Sequence, residues 1–429
     1  SITGQDIGEE KTEAFKVRVR LDLDSFRAQA GINYAFDEDG VRPIKMLYEN
    51  NCEPGARGEF GPGTDQYYCG NLFEPSFAAY DPTVLGDDGV DRQTWFYTLN
   101  MEWDLPGGYT IVSNTGMRDT GTGTLADVNN GVRADGTLND PSLDSMRPAF
   151  ISAGPGTGVL IPTFGPFPAP PGEFIGIGVS FFDREDWSQE LKIVSPVDDI
   201  FRWELGSYYY YFDEDFVRDI GPLGNTGDDF NIRTWAIFGL AEYDFTEQFT
   251  ASLELRYQDE VKSRTNLSPA LSGNPAAFGT FEASFEEVLG RLILEYDVNE
   301  NINIYGSVAR ANKPGGVNNE TSRNIAALNP DQSIGLFQEE LAWNYEIGIK
   351  SQWFDDRLGA NVAVFFSDIE DIQLTESIDT ALCGGVFGIQ PCAPGAFIDN
   401  KDAAEILGVE VELFANPIEG WDFNVNYAF

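Results

Sequence analysis

The strongest constraint on this chain is an alternation of apolar and polar side chains with a period of two. Trp95, Tyr97, Leu99, Met101 and Trp103 alternate with Phe96, Thr98, Asn100 and Glu102. Phe201, Trp203, Leu205, Ser207, Tyr209 and Tyr211 form a second stripe, and Phe249, Ala251, Leu253, Leu255 and Tyr257 a third. Trp343, Tyr345, Ile347 and Ile349 oppose Asn344, Glu346, Gly348 and Lys350, and Leu358, Ala360, Val362, Val364 and Phe366 follow. Leu407, Val409, Val411 and Leu413, then Trp421, Phe423, Val425, Tyr427 and Phe429, close the chain. Successive side chains of a strand point to opposite faces, so each stripe is one face of an extended segment. No long amphipathic helix interrupts the pattern. About fourteen strands are predicted: 15–23, 26–36, 94–103, 109–116, 187–194, 201–212, 232–243, 249–259, 288–297, 301–311, 342–353, 358–368, 404–415 and 420–429.

The connections between these strands alternate short and long. Short ones are Asp24-Ser25, 104–108, 195–200, 244–248, 297–300, 354–357 and 416–419. Long ones are 37–93, 117–186, 213–231, 260–287, 312–341 and 369–403. A soluble propeller or sandwich explains the alternation but gives no reason to sort the loops. A transmembrane barrel does sort them, with short turns at the periplasmic rim and long loops at the cell surface. Trp95, Trp103, Trp187, Trp203, Tyr209, Trp235, Tyr257, Trp343, Trp353 and Trp421 stand at stripe ends, where the two interfacial girdles of a barrel lie. The predicted fold class is therefore all-β: an antiparallel transmembrane β-barrel with long extracellular loops. No internal repeat is apparent beyond the hairpin itself.

Composition narrows the function. The 429 residues include no His, and 27 Lys and Arg face 70 Asp and Glu, for a formal net charge of −43. Without His there is no Ser-His-Asp or Cys-His nucleophile system and no His-ligated zinc or haem, so an enzyme is not expected. Nucleic-acid binding is not expected either, because it needs clustered cations. Disorder is excluded by 42% hydrophobic residues, enough to bury apolar surface. No apolar run approaches the roughly 18–20 residues of a membrane helix, whereas a barrel strand needs only about 9–11.

Three residue groups stand out as candidate sites. Cys52 with Cys69, and Cys383 with Cys392, each lie within one Gly/Pro-rich loop; local disulfides in an exported protein are the expectation, with reduced thiols the alternative. Acidic runs, chiefly Asp213-Glu214-Asp215 and Asp228-Asp229, could bind Ca²⁺ or Mg²⁺, which favour several oxygen ligands. A solvated acidic surface is the plainer reading, since none of the runs has an EF-hand register. In the run 208–212, Tyr209 and Tyr211 share the apolar stripe, so Tyr208, Tyr210 and Phe212 point inward near the surface end. There they could stack on a ligand, or simply fill the inner wall behind a girdle. The inward charges Glu254, Arg256, Glu346, Lys350, Glu410 and Glu412 are expected to form cross-strand pairs. Lys313-Pro314-Gly315-Gly316 lacks the strand–loop–helix context of a phosphate site and reads as a strand exit and turn.

Several segments, taken in order, resemble the TonB-dependent outer-membrane receptors of the siderophore type. Residues 288–311 look like a barrel hairpin of that family, and Asn312-Lys313-Pro314-Gly315-Gly316-Val317-Asn318 like the loop segment after it. Glu339-Glu340 and Trp343-Asn344-Tyr345-Glu346-Ile347-Gly348-Ile349-Lys350-Ser351 are similar to a characteristic strand. Asp355-Asp356-Arg357-Leu358, Ile369-Glu370-Asp371-Ile372-Gln373 and Gly408-Val409-Glu410-Val411-Glu412 resemble its next turn, strand end and late strand, and Gly4-Gln5-Asp6-Ile7-Gly8-Glu9-Glu10-Lys11-Thr12 an early loop.

The resemblance implies a barrel of roughly 22 strands, closed by an N-terminal plug. Residues 1–429 would then be part of the barrel domain, with the plug and the last strands outside it. It also implies active uptake of a scarce solute, such as a ferric siderophore, across the bacterial outer membrane. The implied partners are outer-membrane lipid and lipopolysaccharide, the ligand, and the TonB–ExbB–ExbD complex acting through the plug. Two other readings stay open. Terminal Phe429 after Tyr427, Val425 and Phe423 also suits a plugless fourteen-stranded porin, an even number that barrels permit. A structural surface-array barrel with cation-binding acidic loops is the third.

Overall fold

The computed structural model describes residues 10–40, 89–127, 150–152, 158–160, 177–219, 225–266, 279–318, 336–355, 357–377 and 396–429. Fourteen of its strands form one sheet. They are β1 (Glu10–Asp22), β2 (Phe26–Gly40), β3 (Gly89–Asp104), β4 (Thr110–Asp127), β5 (Ile177–Val194), β6 (Phe201–Asp219) and β7 (Asn225–Thr246). The series continues with β8 (Phe249–Asn266), β9 (Gly279–Asn299), β10 (Ile302–Lys313), β11 (Glu340–Trp353), β12 (Leu358–Glu370), β13 (Ala403–Ala415) and β14 (Phe423–Ala428). Every strand pairs antiparallel with its sequence neighbours, in chain order and without a crossover. Short two-stranded pairs, Gly316–Val317 with Leu336–Phe337 and Gln373–Ser377 with Ala396–Asn400, decorate the long connections.

The predicted strands all form, but most are longer than predicted. In the β6–β7 hairpin the register runs unbroken from Phe201↔Tyr243 to Asp219↔Asn225. The segment 213–231, predicted as a long connection, is therefore mostly strand, and only 220–224 joins the two. β7 has 22 residues, about twice what a tilted strand needs to cross a bilayer. Likewise β2–β5, β8 and β9 run on into segments predicted as loops, to Gly40, Asp127 and Asn266 at one end and from Gly89, Ile177 and Gly279 at the other.

The reason is an inversion of pattern at the upper aromatic girdle. Between the girdles the outward face is apolar, as in Ile237, Leu253, Leu255 and Ile347, all exposed, because it faces lipid. Beyond Tyr209 and Trp235 the outward face carries Asp213, Asp215 and Asp229, while the inward face carries Phe212, Phe216 and Phe230. β9 behaves alike, with outward Glu282, Ser284 and Glu286 around inward Phe285. A strand leaving lipid for water needs a polar outer face. A stripe followed at constant phase stops where that exchange occurs.

The girdles are real clusters. Trp187 meets Tyr209 at a tilt and Trp235 meets Tyr257 edge-on, each with ring centroids 5.3 Å apart, at the upper level. Tyr243, Phe245 and Phe249 cluster at the lower level, with centroids 4.8 and 5.5 Å apart. The lower rim also shows a repeat that alternation had hidden. Glu102-Trp103-Asp104, Glu242-Tyr243-Asp244 and Glu295-Tyr296-Asp297 each end a strand, aromatic outward and carboxylates inward. Arg27 donates to Glu102 and Asp104, and Thr110 to Asp104. Arg202 donates to Glu242 and Asp244, and Thr250 to Asp244. In the third copy Asn303 donates to Asp297. The turn after the first copy takes positive φ at Gly107 and Gly108, a conformation costly for residues with a Cβ.

β1 and β14 do not pair with each other. The sheet is open, so it is not the closed fourteen-stranded wall of the porin reading. All four cysteines, 52, 69, 383 and 392, lie outside the described residues.

Two predictions follow the two environments of this wall. Ile347→Arg, on the outer face between girdles, will destabilise the barrel by about 2–4 kcal/mol, whereas Glu346→Gln one position away on the inner face will cost less than about 1 kcal/mol. Urea titration of folding into lipid vesicles distinguishes them; equal losses would mean that the faces are assigned wrongly. At the surface end, Gln373 is buried and donates its amide to the carbonyls of Lys313, Pro314 and Gln338. Gln373→Ala will open the chain around Lys313–Pro314 and Gln338 to protease while leaving heat-resistant migration of the barrel unchanged, because these bonds hold strand ends and connections rather than the membrane-crossing wall.

Candidate ligand site on the inner wall

The inner face of β5–β8 carries aromatic rings from mid-wall to the surface end. Antiparallel register sets their neighbours. Tyr208 lies opposite Glu190 and Ala236, Tyr210 opposite Ser188 and Thr234, and Phe212 opposite Asp186 and Ile232. Ala236 is 1% exposed and Thr234 6% exposed, as expected where large rings lie beside small residues. Higher up, Phe212 meets Phe230 edge-on at 6.1 Å, and Phe216 stacks on Phe182 at 4.6 Å. The inward placement read from the sequence for Tyr208, Tyr210 and Phe212 is thus what the strands produce. Phe182, Phe216 and Phe230 complete the ladder. They were missed because they lie beyond the inversion, although the even spacing of Phe216 from Tyr208 and Tyr210 along β6 was visible.

Three of these rings have a guanidinium beside them. Arg256 lies 5.4 Å from the Tyr208 ring centroid, Arg184 5.2 Å from Phe182 and Arg264 5.9 Å from Phe230. Attraction of a cation to the ring face orders both partners. Arg184 is also paired with Glu214, and Arg264 with Asp228 at 3.0 Å. Nearby Arg118 pairs with Asp186. Arg256 differs: among the described residues no carboxylate forms an ion pair with it, and its Nε donates to Gln258 Oε1 at 2.9 Å. The hydroxyls of Tyr208 and Tyr210 make no hydrogen bond among the described residues. One rung therefore offers phenol hydroxyls and an unneutralised guanidinium to the lumen.

The other inward charges depart from the expected cross-strand pairing. Glu254 does pair with Arg291, at 2.6 Å. Glu346 instead accepts from the Tyr305 hydroxyl at 2.7 Å, Lys350 sits 5.0 Å from the Tyr305 ring, and Glu412 accepts from Asn361.

The acidic residues considered for metal binding do not converge. Alternation sends Asp213, Asp215 and Asp229 outward and Glu214 and Asp228 inward. Asp213 accepts from Asn231, Glu214 is held by Arg184, and Asp228 by Arg264. Burial, together with neighbouring Asp213 and Asp215, pushes the Asp229 carboxyl above its ordinary range. Among the described residues no group of three or more acidic or sulfur ligands could hold a metal ion. Strand pairing spreads these carboxylates over two faces, where the Ca²⁺ reading took them for one flexible loop.

Comparison with known proteins agrees with this architecture. Residues 53–429 match the family model described as TonB dependent receptor-like, beta-barrel. The pesticin receptor of Yersinia enterocolitica is 27% identical over 194 residues, covering 45% of this chain and 25% of the relative. The fold is similar to that of the ferric yersiniabactin uptake receptor from Yersinia pestis, with a TM-score of 0.58 and 15% identity, over 99% of this chain and 52% of that one. It is similarly close to the ferripyoverdine receptor of the outer membrane of Pseudomonas aeruginosa, with a TM-score of 0.59 and 16% identity, over 98% of this chain and 49% of that one. The chain thus spans about half the length of these solved structures and matches a quarter of the curated relative. It belongs to the TonB-dependent receptor family, as β-barrel wall of the bacterial outer membrane.

Proposed function

We propose that the protein carrying this barrel wall takes up a ferric siderophore, or a nutrient of similar size and charge, across the outer membrane. The observation that carries the reading is the rung of Tyr208, Tyr210 and Arg256. Rings whose hydroxyls make no hydrogen bond among the described residues, beside a guanidinium with no ion pair among them, suit a ligand that is both flat and anionic. The net charge of −43 is largely met at this point: the inward carboxylates Asp186, Glu214 and Asp228 are each paired with an arginine, and Glu190, opposite Tyr208, accepts from Asn114. Energy for release into the periplasm would come from the TonB–ExbB–ExbD complex acting on a plug. Lipopolysaccharide and outer-leaflet lipid would contact the outer face. Disulfides Cys52–Cys69 and Cys383–Cys392 would staple two surface loops in the oxidising exterior. The outward carboxylates above the girdle are a solvated acidic surface in this reading.

Ferric yersiniabactin and ferripyoverdine, named for two similar structures, are the probes. Iron-starved cells should accumulate labelled iron from at least one of them, and deletion of either this gene or the gene for TonB should abolish it. Accumulation that survives loss of TonB would sink the active-uptake reading. Tyr208→Ala and Tyr210→Ala should each weaken binding about fivefold, and Arg256→Met about tenfold. Unchanged affinity in all three would remove the ladder from the ligand site. For the disulfides, alkylation of the unfolded protein without reductant should leave all four cysteines unmodified; labelling of any of them contradicts the pairing.

A further inference from the structure

Arg256 is held by a chain of side-chain amides that leads out of the lumen. Its Nε donates to Gln258 Oε1 at 2.9 Å. Gln258 Nε2 donates to Asn312 Oδ1 at 3.1 Å, and Asn312 Nδ2 donates to Glu339 Oε2 at 3.2 Å. Gln258 is 8% exposed, so both ends of its amide are committed and its orientation is fixed by donor and acceptor together. Glu339 in turn lies beside Glu287, which Arg310 pairs with; burial and that neighbour push the Glu339 carboxyl above its usual range.

Asn312 lies at the end of β10, past its last pairing with β9 and still paired with Leu341 of β11. The chain after it folds inward over β8 and β9, where Lys262 donates to the Gly315 carbonyl at 2.9 Å. A Cβ on Gly315 would meet the Phe285 ring at 2.5 Å, so the segment lies against that inward ring. Its far side is welded by amides. Gln373 binds three carbonyls, and Asn318 exchanges two bonds with the Ile398 backbone, each at 2.8 Å. Asn400 accepts from Gln338 N and donates to the Gln338 and Asp371 carbonyls. The segment is thus a rigid platform, and Gln258 joins it to the lumen.

We propose that Gln258 is a positioning residue: it holds the Arg256 guanidinium over Tyr208 and ties that placement to the surface platform formed by 312–318 and 336–340. The coupling is carried by this contiguous chain of bonds. Its effect on affinity rests on the uptake reading; the coupling itself does not. Three groups compete for Arg256: Gln258, the Tyr208 ring and the incoming ligand. With Gln258 holding Nε, the guanidinium keeps its terminal Nη1/Nη2 edge for an anion. Without it the side chain is free to turn toward Glu190, which lies opposite Tyr208 in the strand register.

The test has a ligand-free arm and a ligand arm, both on the full-length protein in detergent. Hydrogen exchange of segments 312–318 and 336–340 is measured without ligand in wild type, Gln258→Ala and Arg256→Met. Both variants should exchange about fivefold faster there, with the lower rim at Arg202 unaffected. Unchanged exchange in Arg256→Met overturns the coupling, whatever binds. In the ligand arm, ferric yersiniabactin and ferripyoverdine are titrated by fluorescence quenching. Asn312→Ala, remote from the rings, should weaken binding about as much as Gln258→Ala, near tenfold, and the double variant should be no worse than either. Gln258→Glu keeps the shape but neutralises Arg256, so it should bind at least as weakly as Gln258→Ala. Retained affinity in Gln258→Glu, or full additivity of the first two, would reduce Gln258 to a space filler and overturn the proposal. If neither chelate binds wild type, the uptake reading falls and the exchange result still decides the coupling.

Discussion

Everything in this chain depends on backbone pairing in lipid. With no water to satisfy them, the N–H and C=O groups of a membrane-crossing strand must bond to a neighbouring strand. That demand is met here by fourteen strands paired in chain order, with each register fixed by the next. Once the backbone is committed, side chains have only two places to go. The outer face takes what lipid accepts, and the inner face takes what remains. Sites in such a protein are therefore written on a lattice with a period of two along the strand and one neighbour on either side.

The same lattice explains what could be read from the sequence. Stripes such as Trp95 to Trp103 and Phe249 to Tyr257 were legible because lipid enforces a constant phase between the girdles. The short turns were legible for the same reason, since each stripe stops at both ends of the bilayer. The extensions above the upper girdle were not, because water lies outside them and the phase reverses. Asp213 and Asp215 looked like loop carboxylates for that reason, when they are the outer face of a strand whose inner face is Phe212 and Phe216. Inward Tyr208 and Tyr210 could be placed because outward Tyr209 anchors the phase. Arg256 could be placed as well, but its lack of a carboxylate partner depends on which groups three strands bring alongside, and no spacing within one strand reveals that.

The distribution of charge follows from the two faces as well. At the lower rim, carboxylates come in Glu-aromatic-Asp sets that place one ring in lipid and two acids in the lumen. Two of the three sets are answered by an arginine on the preceding strand, Arg27 or Arg202. At the equivalent place the third has Thr250, opposite Glu295. Above the upper girdle the inward acids are again answered, by Arg118, Arg184 and Arg264. The large negative charge of the chain is thus paired where the lumen crowds it and left open where water screens it.

Amide side chains take over where the ladder ends. A strand that leaves the sheet exposes carbonyls and N–H groups that its former neighbour no longer satisfies, and burial of those groups carries a cost. Lys313, Pro314, Gln338 and Asp371 are such places, and their carbonyls are met by Gln373 and Asn400. Asn and Gln suit this work because one planar group both donates and accepts, as a peptide does. The same property makes an amide directional. A Gln that accepts from Arg256 at one end must donate at the other, and in a buried position it cannot turn over without losing both bonds. The device that repairs the end of a strand therefore also fixes the guanidinium on the ladder that has no ion pair among the described residues, and the link between lumen and surface arises from the way the backbone was satisfied.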